Sequence, residues 1–373
     1  QPEASSVLAP LLARPDLSAG HAARATDLAL TWLDRFHDQP EAQFVFHSLL
    51  ARPDLSAGHA ARATDPALTW LDRFHDQPES GFVLAPLLAR PDLSAGHAAR
   101  ATDLALGWLD RFHDQPKSDF VLAPLLARPD LSARHAARAT DLALTWLDRF
   151  HDSDGTNFVL KRILARLDLS ARHAARATDL ALTWLDRFHD QPESGFVLAP
   201  LLARPDLNPQ HAGKIAIYVR VWLAKFNTEE KAGFVLAGWC LGALADQIPD
   251  EVRGWAQNWA ENFPRAGGGG PAHILRLGAL ATATQAGKEA ATTAVDWTRS
   301  HRNHPLCTQV LLALFLHHPT TDGLVETTVR WGLHIGWHRG PSTVRRPLAY
   351  ALLRLPPDDP RRDEIEVLLE NTD

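Results

Sequence analysis

Two ladders of imidazoles run through the chain at a spacing of 38 residues: His21, His59, His97, His135, His173 and His211, and His37, His75, His113, His151 and His189. Imidazole titrates near neutral pH and is the commonest metal ligand, so tandem copies could bind metal or sense pH. Position separates the two ladders. If the recurring block RATDLALTWLDRFHD is helical, His113 and its equivalents fall at a helix C-terminus, where the dipole favours the cation. His97 and its equivalents fall in a first turn, where it does not. A zinc ion needs three or four ligands within about 2.0–2.3 Å, and equivalent positions one repeat apart are too widely separated to converge on it. Both ladders read as capping or surface residues copied with the rest of the repeat, and no metal site is expected.

The C-terminal histidines are a separate case. His334 and His338 stand at i and i+4, after His301, His304, His317 and His318, a spacing able to present two nitrogens to one ion. The intervening Ile335, Gly336 and Trp337 hold no general-base glutamate, which leaves a metal-dependent enzyme in the C-terminal half as a second alternative only. The recurring Arg100, Asp103, Asp110 and Arg111 offer paired carboxylates many times over. A catalytic pair needs one place where surroundings push two pKa values apart, and regular copies share the same surroundings, so these charges read as solvated helix faces with inter-repeat ion pairs. Gly267 to Gly270 is preceded by no strand and followed by no Lys-Ser or Lys-Thr pair, as a phosphate loop requires; it reads as a mobile loop or hinge. No catalytic residue and no cofactor is expected.

The net charge of −6 and pI near 6.3 argue against nucleic acid as a partner, since nonspecific affinity for it comes from Lys and Arg neutralising phosphates. Only Cys240 and Cys307 are present, so no disulfide framework supports the fold, and the cytoplasm is the natural setting. No apolar run approaches the roughly 20 residues that cross a bilayer, so no membrane is expected. The chain has no methionine, and Gln1-Pro2-Glu3 aligns in register with Gln39-Pro40-Glu41 and Gln77-Pro78-Glu79. It begins in an inter-repeat loop and is expected to be part of a longer protein.

The elements that must carry these residues are set by a tryptophan ladder. Trp32, Trp70, Trp108, Trp146, Trp184 and Trp222 are 38 residues apart, and a repeat of that length is one supersecondary unit that buries its apolar face only by stacking on its neighbours. In one unit, Ser80 to Arg90 is short, apolar and stopped by Pro91-Asp92-Leu93. Ser94 is an N-cap for a helix from about Ala95 to Phe112, with Ala98, Ala101, Ala105, Trp108, Leu109 and Phe112 on one stripe. His113-Asp114-Gln115-Pro116 closes it. Trp259, Trp297 and Trp331 extend the register with small deletions, and residues 343–371 form a last hairpin. The expected fold is all-α, an α-α superhelix of nine or ten hairpins, on the order of 90 Å long if packed helices sit about 8–10 Å apart. Residues 1–205 are near-identical repeats; residues 206–373 keep the apolar skeleton but diverge at the surface, with the Gly-rich stretch at 265–271 and a C-terminal cap. The tryptophans are structural core, expected to fill the space between adjacent hairpins.

Function is therefore sought in what changes between the tryptophans. Ala9-Pro10 becomes His47-Ser48, returns to Ala-Pro twice, becomes Lys161-Arg162, and returns again; Gly20, Gly58 and Gly96 become Arg134 and Arg172. These positions lie among invariant apolar neighbours and are expected to point outward as a binding surface, with Arg134, Lys161, Arg162 and Arg172 forming one basic patch.

The hairpin plan resembles the tetratricopeptide and HEAT-like superhelices. The phrase Phe-Val-Leu-Ala-Pro-Leu-Leu-Ala-Arg-Pro-Asp-Leu with Ala-Leu-Thr-Trp-Leu-Asp-Arg-Phe-His resembles the near-identical α-hairpin arrays at the C-termini of bacterial STAND-type NTPases, over residues 1 to about 225. That resemblance implies a non-catalytic, ligand-sensing scaffold binding a protein or peptide on its concave face, with the nucleotide site in a separate upstream domain. A helical-repeat nucleic-acid-binding module is the alternative, supported by the basic patch.

Overall fold

The structure, a computed structural model, describes residues 2–370 except Asp154, Leu167, Pro205, Asp246 and Gly340, and leaves out the side chains of Pro2 and residues 336–343. Among the described residues there are twenty α-helices in ten hairpins and no strand. The first five hairpins pair α1 (Ser5–Leu12) with α2 (Ala19–Phe36), α3 (Ala42–Leu50) with α4 (Ala57–Phe74), α5 (Gly81–Leu88) with α6 (Ala95–Phe112), α7 (Asp119–Leu126) with α8 (Ala133–Phe150), and α9 (Thr156–Ala165) with α10 (Ala171–Phe188). The rest pair α11 (Gly195–Leu202) with α12 (Pro209–Phe226), α13 (Ala232–Leu241) with α14 (Asp250–Asn262), α15 (Gly270–Ala279) with α16 (Gln285–Ser300), α17 (Cys307–His317) with α18 (Leu324–Arg339), and α19 (Pro341–Leu352) with α20 (Arg361–Glu370). Contacts divide the chain into two units, residues 1–180 and 181–373, the division falling inside α10. The change of surface composition near residue 205 is a separate feature.

In each unit short helices pack on short and long on long, in two layers. The short helices make the more extensive contacts of the two layers. The first four long helices begin at a serine cap, as expected: the hydroxyls of Ser18, Ser56, Ser94 and Ser132 accept from the amides of His21, His59, His97 and His135. The near-copy short helices other than α9 end where proline approaches: in α5 the amides of Ala89 and Arg90 bond back to Ala85 and Leu87, and Pro91 cannot continue the ladder.

Trp70, Trp108, Trp146 and Trp222 are buried, and each indole donates to the carbonyl of Gln39, Gln77, Gln115 or Gln191 at 2.8–3.0 Å. That carbonyl lies in the link from the preceding hairpin, and the ring lies over the first turn of its own short helix. A methyl group on Gly81 would come within 2.9 Å of Trp108. The indole thus locks the joint between hairpins from inside its own hairpin. Trp32 and Trp184 are buried too. The register continues as expected: Trp259 donates to Glu229 and Glu230, Trp297 to Gly268 and Trp331 to Arg302.

The Gly-rich stretch is not an open loop. Ala266–Gly269 makes a helical turn with Gly267, Gly268 and Gly269 at φ 53, 69 and 86°, a region glycine enters without a Cβ clash. The Gly268 carbonyl accepts from Trp297, and Gly269 and Gly270 are buried. This turn occupies the place that Pro78–Ser80 holds ahead of α5.

A second set of joints was not visible in the sequence. Arg52, Arg90, Arg128 and Arg204, each just before the proline, are buried. Arg128 Nη1 donates to the carbonyls of Leu88 (2.9 Å) and Arg90 (3.4 Å) in the preceding hairpin, while its Nε and Nη2 hold Asp130 at 2.9 and 2.5 Å. Arg52 does the same with Leu12 and Asp54.

Candidate nucleic-acid interface

The two histidine ladders are absorbed by the stack. His37, His113 and His189 each cap a long helix, Nδ1–H donating to a carbonyl four residues back at 3.0 Å. In the other ladder, His59, His97, His135 and His173 place Nε2 within 3.0–3.3 Å of Asp27, Asp65, Asp103 and Asp141 one hairpin earlier. Parallel to them Arg62, Arg100, Arg138 and Arg176 pair with Asp34, Asp72, Asp110 and Asp148. These carboxylates are 40–74% exposed, so each pair adds little.

The C-terminal imidazoles are directed at backbone. His317 and His318 donate to the carbonyls of Cys240 (2.8 Å) and Leu277 (3.1 Å), His301 caps α16 through Trp297, and His304 accepts from the Leu306 amide. His334 lines a cleft of about 270 Å³ with Arg299, Arg302 and Arg330, cations that repel a metal ion; His338 lies outside the described side chains. Among the described residues no three metal-ligating groups converge.

The surface that remains is the exposed side of the short helices. Phe44, Phe82, Phe120 and Phe158 are 56, 49, 57 and 51% exposed, one in each of the second to fifth hairpins, while the first has Ser6 at that place; Phe196 and Phe234 are exposed likewise in the second unit. Rings held in water at the same place in successive hairpins, Phe44 to Phe158 in the first unit, mark a surface suited to contact. Sequence reasoning missed them, because an eight-residue helix reading GFVLAPLL looks apolar all round.

The variable positions fall on this same face. His47 and Ser48 lie one turn after Phe44, and Lys161 and Arg162 one turn after Phe158. His47 reaches the next hairpin: its Nδ1 is 2.9 Å from the Phe82 carbonyl and its ring meets Phe82 edge-on at 6.2 Å. Burial and the neighbouring Arg162 hold the half-buried Lys161 ammonium below the usual lysine range. In the Ala-Pro repeats the proline does further work. Pro86 and Pro124 have no N–H to give the carbonyls of Phe82 and Phe120 four residues earlier, so a backbone acceptor is released beside each ring; at Phe82 the His47 imidazole takes it. Where His47-Ser48 and Lys161-Arg162 replace Ala-Pro, that helical bond is restored.

Arg134 and Arg172 are exposed at the second position of α8 and α10, in the long-helix layer. A Cβ at the equivalent Gly20, Gly58 or Gly96 meets nothing within 4 Å, so arginine enters there at no packing cost. The four cations expected as one patch are thus two on the short-helix face and two at the starts of long helices.

No family model and no curated protein matches the chain. Among solved structures it is similar to PUF-8 in complex with PBE-RNA, at 13% identity and a TM-score of 0.35, covering 98% of this chain and 89% of that one. It is also similar to the Puf4 RNA-binding domain bound to the HO endonuclease RNA 3′ UTR recognition sequence, at 13% identity, TM-score 0.32 and coverages of 98% and 95%. A third is the RNA-binding domain of yeast Puf5p bound to SMX2 RNA, at 8% identity, TM-score 0.33 and coverages of 98% and 93%. These neighbours are RNA-bound helical repeats. On these findings the expectation of a protein-binding sensor scaffold with a protein or peptide on the concave face is set aside. Nothing among these neighbours is a STAND-type NTPase. No helix among the described residues is long and apolar enough to cross a membrane.

Proposed function

We propose that the short-helix face binds single-stranded nucleic acid, without catalysis. The observation that carries this reading is the row of exposed rings at Phe44, Phe82, Phe120 and Phe158. Every base has a π-face, and stacking on an aromatic side chain is worth about 1–3 kcal/mol per base. Helical repeats that read RNA take one base per repeat through two or three side chains, and here the second to seventh hairpins each offer a ring, with a released backbone carbonyl beside it at Phe120. That carbonyl accepts a hydrogen bond from an exocyclic base amine. Lys161 and Arg162 face a phosphate where the row reaches Phe158. A net charge of −6 agrees with stacking, not phosphate neutralisation, as the main source of affinity, and gives a shallow salt dependence.

The test is fluorescence anisotropy of a labelled, unstructured RNA oligomer, with single-stranded DNA and a duplex for comparison. Binding of the single strands is expected. The Phe82→Ser/Phe120→Ser variant should bind at least about tenfold more weakly, since about 1.4 kcal/mol is a factor of ten, with an unchanged melting temperature because both rings are exposed. Absence of saturable single-strand binding at low salt, or unchanged affinity in the double variant, overturns the reading.

A further inference from the structure

The long helices of the near-copies have 18 residues, but α14 has 13 and begins after an extended connection, Gly242 to Pro249. That connection docks on the preceding hairpin, the Ala243 amide donating to the Arg204 carbonyl at 3.2 Å. The first turn that elsewhere covers the preceding long helix is missing, and α14 does not pack closely along α12. The α12 face that this turn would cover is partly open, with Gly213 and Arg220 exposed and Ala216 partly so.

Pro209, Ala212, Gly213, Ala216 and Arg220 of that face line a cleft of about 360 Å³ with Trp239 and Leu244, a size usual for small-molecule sites. Two of its residues depart from the repeat in a way that suits an open cleft. Arg220 stands where Leu68, Leu106 and Leu144 are buried in the near-copies, and is exposed, paired with Glu251 at 3.2 Å. Trp239 stands where the other short helices have Leu87, Leu125, Ile163 or Leu201. It is 1% exposed, and its indole N–H has no acceptor among the described residues. Buried donors are almost always bonded, and Trp70, Trp108, Trp146, Trp222, Trp259, Trp297 and Trp331 all donate to backbone carbonyls. Leucine would fill the Trp239 position without bringing a donor.

The geometry points to a binding site for a small aliphatic carboxylate in this cleft. The chain of the ligand lies against Ala212, Ala216 and Leu244, and its carboxylate takes Arg220, in competition with Glu251, and the Trp239 N–H. An anion is favoured because Arg220 is the one charged side chain of the wall and Gln247, its other flexible polar side chain, can turn its amide N–H toward a carboxylate.

Isothermal titration of the whole chain with sodium octanoate tests this, with octan-1-ol and octylamine as controls. Saturable one-to-one binding of octanoate is expected, with the alcohol at least about tenfold weaker for want of a charge-assisted bond and no binding of the amine. Ala216→Trp fills the cleft and abolishes binding. Arg220→Gln, at an exposed position where folding is not at stake, weakens it about tenfold, and Glu251→Gln strengthens it by freeing the guanidinium. Trp239→Phe keeps the wall, removes the N–H and weakens binding. No saturable heat with octanoate overturns the site, as does equal affinity for acid and alcohol, or an affinity that Arg220→Gln leaves unchanged.

Discussion

Replacing Arg128 by methionine isolates the joint between two hairpins. Methionine keeps most of the buried stem and removes the guanidinium. Two kinds of bond are then lost. The first is the pairing with Asp130, whose side chain is 44% exposed, so water takes over most of that interaction and the loss is below about 1 kcal/mol. The second is donation to the carbonyls of Leu88 and Arg90, at 2.9 and 3.4 Å. The Leu88 carbonyl belongs to the last residue of α5 and has lost its helical partner already, so in a buried site its desolvation is left uncompensated, about 1–3 kcal/mol; the longer bond to Arg90 adds less. The total is about 2–4 kcal/mol, most of it from the carbonyls. In a stacked array this loss falls on one nearest-neighbour interface. Urea unfolding followed by circular dichroism, with hydrogen exchange on the flanking hairpins, should show a lower first midpoint and two blocks separating at that joint. Asp130→Asn is the control and should cost less than about 1 kcal/mol. Equal losses in the two variants, or a loss under about 0.5 kcal/mol in Arg128→Met, would refute the assignment of stability to the carbonyl bridge.

Three further outcomes are expected. Burial, with Arg276 and His301 nearby, holds His273 down at about 4. Its folded pKa therefore lies below the unfolded value near 6.5, and the unfolded chain takes up the extra proton first. Stability falls as pH drops through about 6.5 and levels off below about 4, a loss of up to about 3 kcal/mol that His273→Gln should remove from the difference between urea midpoints at neutral and acid pH. Gly268 has φ +69°, and a Cβ there would sit 2.6 Å from His304 Nε2, so Gly268→Ala should cost at least about 1–2 kcal/mol; Gly254→Ala, in the middle of α14 with nothing within 4 Å, should raise stability by up to about 1 kcal/mol. Ser94→Ala removes the acceptor for the His97 amide and should cost about 1 kcal/mol; a loss no larger than that of an exposed mid-helix Ser or Thr would count against the cap.

The long helices were legible because two independent signals agree on them. A serine that caps and an apolar stripe at three- and four-residue steps mark α6 from Ala95 to Phe112, and the spacing of tryptophans carries the register past the near-copies to Trp331. The short helices were legible as elements but not as surfaces. In GFVLAPLL almost every residue is apolar, so the pattern has no phase, and only the packed backbone shows that Phe82 faces water while Val83 and Leu84 are buried. The arginine before each proline was illegible for the opposite reason: a charged residue beside Pro-Asp reads as solvent-facing loop, and its burial depends on carbonyls contributed by another repeat. The Gly267–Gly270 run read as slack because glycine permits many conformations; its single conformation is imposed by Trp297, which bonds the Gly268 carbonyl from 29 residues away.

The alternation of Ala-Pro with His-Ser and Lys-Arg shows why a surface can vary while the fold does not. Each proline sits at the sixth position of its short helix, so the bond it forfeits is to the carbonyl of the exposed phenylalanine, where another donor can replace the amide, as His47 does at Phe82, and the stack loses little. The same substitution on the buried side, at Leu84 or Leu87, would orphan a carbonyl in the core. Within the short helices, the dipeptide changes therefore fall on the strip that also carries the exposed phenylalanine. On this reading the changes at His47-Ser48 and Lys161-Arg162 alter what a nucleotide meets beside the ring and leave the ring in place. A chain in which both dipeptides are returned to Ala-Pro should keep its stability, lose the salt-dependent part of its affinity at Lys161 and Arg162, and bind with less discrimination among base sequences. A drop in melting temperature of the size seen for Arg128→Met would instead show that these residues serve the stack.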